Sequence, residues 1–176
     1  MIRGLLIGVL LLLAGVVIGY ASSPKAGTEA YGQGVYQTLN DARLRPAFFA
    51  RLEFRRILFN NSHAAAAIEL GFVTFGAYGG FILLANGIKI GGLYRMALAG
   101  NVPSSFWLMH VLPHGVIEYS SFLMAQAVAI KGGGYLWKLF TEKPTEIKWK
   151  VIIMAFACFP ILALAAWVEV YITPFL

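Results

Sequence analysis

The sequence predicts an all-α fold: a polytopic transmembrane helix bundle with about 4 to 6 membrane segments, one of them re-entrant. Three observations carry this reading. Of 176 residues, 59% are hydrophobic and 12% are charged, and the mean hydropathy is +0.73, far above that of a water-soluble domain. The apolar residues gather in runs of about 20, the number needed to cross a hydrocarbon core about 30 Å thick. Polar, basic stretches separate those runs. The length suits a single membrane domain over residues 1–176, with no room for a second large one.

The net charge of +6 arises from 14 Lys and Arg against 8 Asp and Glu. We read this excess as loop charge facing membrane lipid headgroups, in a protein integral to the cell membrane. The basic residues are scattered between apolar runs, which argues for no nucleic acid partner. The single cysteine, Cys158, lies within an apolar run and has no intramolecular disulfide partner.

Residues 4–20 form the first apolar run. Gly19, Tyr20 and Ala21 resemble a signal cleavage site, yet Gly4, Gly8, Gly15 and Gly19 fall within an arc of roughly 60° on one helix face. That stripe is a close-packing seam, for which a cleaved signal has no use, so we read a retained span.

Residues 21–56 are polar and basic, carrying Lys25, Arg43, Arg45, Arg51, Arg55 and Arg56 beside Glu29, Asp41 and Glu53. The apolar positions from Leu39 through Leu44, Phe48 and Leu52 to Ile57 predict an interfacial helix entering the membrane, with Pro46 near its start or kinking it. Residues 57–86 would make a helix of about 45 Å, too long for one upright span, and Gly71 is the expected break.

The nine residues Ser104 to Leu112, between Pro103 and Pro113, are too few to cross and read as a re-entrant half-helix. Pro113 should begin the next helix, which runs to about Ile130 and ends at Lys131 and the glycines 132–134. A basic loop over 132–150 precedes a last span from about Val151 to Tyr171, with Trp137, Trp149 and Trp167 as interface anchors. The basic-loop rule would put 21–56 and 132–150 on one side, which needs an even number of crossings between them. A hairpin tip at Gly71 combined with a re-entrant 104–112 would break that parity.

Glu118 is a charge inside an otherwise apolar stretch, where an ionisable group costs about 2.5 to 3.5 kcal/mol on insertion scales. His114 lies one helical turn before it and His110 another turn before that. A second polar group, Asn60, Asn61, His63 and Glu69, lies in the preceding segment, and Asn86 supplies a third. A bundle could gather Asn60, Asn61, His63, Asn86, His114 and Glu118 into one buried polar cluster. Two functions fit it. His114 and Glu118, with His63 and His110, are candidate ligands for zinc or another divalent metal, although H-x-x-x-E spacing is a weak signal. Interhelical hydrogen bonding alone, worth about 0.6 to 2 kcal/mol per group, also accounts for such residues. Ser62, Ser104, Ser105, Ser120 and Ser121 sit in no nucleophile motif.

Phe59-Asn60-Asn61, Gly71 with the glycine-rich 76–80 stretch, Asn86, Gly87, Gly91, His114, Gly115 and Glu118 occur in an order and spacing that resembles the stage II sporulation protein M family. The resemblance covers about residues 55–135. It implies a helical membrane protein and brings no established catalytic role for these residues. In spore-forming bacteria a member of that family is a non-enzymatic scaffold that gathers cell-wall-degrading partners. The resemblance therefore implies a membrane scaffold or assembly factor with protein partners. A transporter or metal-dependent intramembrane enzyme is the alternative. The glycine faces also point to a homodimer.

Overall fold

A computed structural model describes residues 2–23, 47–141, 146 and 148–176. Among these, five helices account for nearly all the chain and no strand occurs. They are α1 (Ile2–Ser22), α2 (Ala47–Leu70), α3 (Ala77–Ala99), α4 (Ser104–Phe140) and α5 (Trp149–Tyr171). A 3-10 turn at Gly71–Thr74 joins α2 to α3, and another at Thr173–Phe175 follows α5. Three segments are long and apolar enough to cross a membrane: Ile2–Ser22, Ala77–Ala99 and Trp149–Phe175.

The helices alternate in direction. Gly8 faces Leu83, Gly15 faces Gly87 and Gly92 faces Ser23, so α1 and α3 run parallel. Helix α4 returns antiparallel to both, with Ala127 against Gly4 and Trp107 against Tyr94. Ser121 pairs with Cys158, and His114 with Thr173, which sets α5 antiparallel to α4. Helix α2 descends beside α4 and α5, with Asn61 next to Glu118 and Glu69 next to Cys158. Helix α4 is therefore the central post, flanked by α1 and α3 on one side and by α2 and α5 on the other. Its 37 residues span about 55 Å, well beyond a bilayer's hydrocarbon core.

The glycine stripe of α1 finds its complement within the chain. Gly15 and Gly19 lie against the backbone of α3 at Leu84, Gly87 and Ile88, while Gly87 and Gly91 lie against α1 at Leu12 and Val16. Two small-residue faces let the backbones touch, which is how helices associate in lipid where no hydrophobic force drives them together. Because α3 fills this seam, the expected homodimer loses the surface that motivated it. Around the middle of α4, Ala65, Ile68, Leu83, Phe122, Ala125, Cys158 and Leu162 form a core with almost no exposed surface.

Gly71 breaks the long apolar run, as its position predicts. The chain turns through Phe75 and Gly76, both at positive φ (55° and 88°), before α3 starts. Three other expectations change. Residues 104–112 are not a re-entrant half-helix, and Pro113 does not begin a helix; both belong to the continuous α4. Proline forfeits one N–H bond to the residue four back, and the packing of α4 against its neighbours on both sides outweighs that loss. Nor do the glycines 132–134 end α4. A Cβ on Gly132 would sit 2.8 Å from Phe72 Cβ, and one on Gly133 would sit 2.7 Å from Phe75 Cα, so these glycines seat the α2–α3 turn on the helix. Finally, α2, α3 and α4 make three traverses, an odd number that puts the start of α2 and the end of α4 at opposite ends of the bundle.

The interfacial helix expected from Leu39 is described from Ala47 onward, where it is the first part of α2; Leu39, Leu44 and Pro46 lie outside the described residues. Trp149 and Trp167 lie 18 residues apart on one helix, a rise of about 27 Å that matches two membrane interfaces. Trp137 joins the first belt, edge-on to Phe75. Tyr20, Tyr94 and Trp107 cluster at the other end, where the Arg95 guanidinium donates to the Tyr20 carbonyl at 2.8 Å and covers its ring.

Candidate functional site

The polar groups of the bundle collect where α2, α4 and α5 meet. Asn61 on α2 is close enough to Glu118 on α4 for its amide to interact with the carboxyl group. Glu169 on α5 faces Glu118 from the third helix and faces Arg56 on α2, which in turn bonds Glu53 at 3.5 Å. Glu118 thus feels an acid from α5 and an amide from α2, and Glu169 feels the Arg56 guanidinium. An acid at this depth needs such neighbours, since lipid offers it no solvation.

One turn earlier on α4, His114 Nδ1 lies 3.3 Å from Thr173 Oγ1. The Thr173 hydroxyl also lies 3.2 Å from the Val168 carbonyl, so it bridges His114 to the end of α5. A third pairing lies deeper. Ser121 Oγ donates to the Cys158 carbonyl at 2.9 Å, and the Cys158 thiol lies 3.5 Å from the Ser121 carbonyl and within reach of Glu69. The first contact joins α2 to α4 and the other two join α4 to α5 and its trailing turn, and together they hold α2, α4 and α5 in register.

The residues singled out in the sequence are distributed as follows. Asn61, His114 and Glu118 face this junction. Asn60 and His63 are exposed, with His63 stacked on Phe59 at 6.4 Å. Asn86 donates to the Ile82 carbonyl of its own helix at 3.0 Å. His110 is buried, its Nδ1–H donates to the Phe106 carbonyl at 2.8 Å, and its Nε2 has no partner. Among the described residues, no three His, Cys, Asp or Glu side chains are grouped to hold a metal ion.

Glu69, already in the second polar group, also lies here, and Glu169, Arg56, Thr173 and Ser121 complete the junction without having been placed there by motif. A signal existed for Glu69 and Glu169, which are the other acids set in apolar runs. Gln126 is a further residue of this kind. Only 1% exposed, it donates from Nε2 to the Gly76 carbonyl at 3.0 Å, tying the left-handed turn to α4.

The fold and junction define a polytopic α-helical membrane protein whose interior polar groups bond across helices. A family model for Stage II sporulation protein M matches residues 6–174, and the chain belongs to that family. It is similar to an uncharacterized protein of Methanocaldococcus jannaschii, 31% identical over 130 residues that cover 70% of this chain and 72% of that protein. No solved structure matches it.

Proposed function

We propose that the chain is an integral scaffold or assembly factor of the cell membrane, which holds other membrane proteins together and carries out no chemistry itself. The observation that carries this reading is the pairing of interior polar groups with one another across helices, Asn61 with Glu118, His114 with Thr173 and Ser121 with Cys158. Groups arranged in this way lock helices and leave the bundle's outer surface for partners. Family membership supports the same reading. The alternative, a transporter or metal-dependent intramembrane enzyme, needs Asn60 and His63 turned inward beside Glu118, and both side chains are exposed.

Two measurements test the proposal. Native gels of mildly solubilised host membranes should show the chain in a complex larger than one copy, with the same partners lost from that position when the chain is deleted. Metal analysis of the purified protein is the second. Stoichiometric metal that disappears on His114→Ala or Glu118→Ala would overturn the scaffold reading, as would migration of the chain alone.

A further inference from the structure

At the end of the bundle that carries residue 2, the lower end of α4 extends past the start of α1. A cavity of about 280 Å³ lies between them. Arg3, Lys131 and Lys138 line it, together with Tyr135 and the bare backbone of Gly134, where an added Cβ would meet nothing within 4 Å. The three cations are exposed, and among the described residues none is ion-paired. Nothing in the packing of the bundle calls for three positive charges around one opening.

The cavity does not stand alone. Ile130 also lines a second opening, an apolar groove of about 500 Å³ that runs from there toward the membrane interior. Its walls are Ile7 and Leu11 of α1, one and two turns on from Arg3 along the same face, with Phe81 and Leu84 of α3 opposite. Trp137 and Trp149 place this end of the bundle at a membrane interface. A cationic cradle at headgroup depth thus adjoins an apolar groove across Ile130.

We infer that Arg3, Lys131 and Lys138 form a binding site for the phosphate headgroup of an anionic phospholipid whose hydrocarbon tail lies in the groove between Ile7, Leu11 and Phe81. Charge complementarity selects the head, because basic pockets between membrane helices suit phosphate groups. The adjoining apolar groove selects a lipid over a free anion. This site is separate from the α2, α4 and α5 junction and does not depend on the scaffold reading.

Native mass spectrometry of the full chain in detergent tests it, with added phosphatidylglycerol, phosphatidylcholine or inorganic phosphate as probes. The wild-type chain should retain one phosphatidylglycerol in preference to phosphatidylcholine. The triple variant Arg3→Gln, Lys131→Gln, Lys138→Gln should lose at least about tenfold in that affinity. Lys89→Gln, Arg51→Gln and Arg55→Gln together remove equal charge at exposed positions away from the cavity and should leave it unchanged. Ile7→Trp, at an exposed position that fills the groove, should weaken phosphatidylglycerol and spare inorganic phosphate. Thermal melts of each variant confirm that it is folded. Equal retention of phosphatidylcholine, unchanged binding by the folded triple variant, or inorganic phosphate binding as tightly as lipid would each overturn the site.

Discussion

Gly15 and Gly87 meet backbone to backbone: a Cβ on Gly15 would lie 2.9 Å from the Gly87 Cα, with no side chain between the helices to give way. Replacing either residue by leucine should therefore push α1 off α3 and cost at least about 2 to 3 kcal/mol. Gly134→Leu is the matched control, since its Cβ meets nothing. Thermal unfolding in detergent should show a large loss for the first two and almost none for the third.

The parallel seam also fixes what cross-linking will find. A Cβ on Gly92 would lie 2.8 Å from Ser23 Oγ. In a Cys158→Ser background, Ser23→Cys with Gly92→Cys should form a disulfide within one chain, visible as a faster-migrating monomer. Cross-linked dimers as the main product would show that the glycine faces join two copies instead.

Asn61 and Glu118 should be coupled energetically. A double-mutant cycle with Asn61→Ala and Glu118→Ala, read by detergent-induced unfolding, should give an interaction of about 0.6 to 2 kcal/mol, the range for polar pairs between membrane helices. His63→Ala paired with Glu118→Ala should be additive, because His63 stacks on Phe59 at the surface. Coupling in that second cycle would restore His63 to the junction.

Two glycines should respond in opposite ways to the same change. Gly76 has φ of +88°, and a Cβ there would come 2.5 Å from Ile130 Cγ1, so Gly76→Ala should cost about 1 to 3 kcal/mol. Gly115 sits inside α4, where an added Cβ meets only Val111 Cγ1 at the ordinary distance of 3.8 Å. Gly115→Ala should be neutral or stabilise by up to about 1 kcal/mol, because alanine fixes less backbone entropy on entering a helix. Comparing the two melting temperatures checks both.

Features set by near neighbours in the chain were legible in the sequence. The α1 glycine stripe, the break at Gly71 and the last span all follow from spacing within a few turns. The reading failed where distant residues decide the local outcome. Pro113 and the glycines 132–134 look like helix boundaries in isolation, yet α4 runs through both; at the glycines Phe72 and Phe75 pack onto the helix. The junction partners behave in the same way. His114 meets Thr173 59 residues later, and Ser121 meets Cys158 37 residues later, so no local window contains either pair. Asn60, Asn61 and His63 show the remaining difficulty, since neighbouring polar residues on one helix point in different directions and only Asn61 faces inward.

The parallel union of α1 with α3 has a consequence for how the chain is made. Roughly 70 residues separate Gly15 from Gly87, which at about 5–20 residues per second delays the partner by several seconds after α1 has been synthesised. Over that interval the glycine stripe faces lipid, an insertase or a neighbouring protein. The hairpin of α2 and α3 must then enter the bilayer before α1 can dock. Order of synthesis thus leaves the first helix as a free anchor, and the bundle closes on it only once the third helix has arrived.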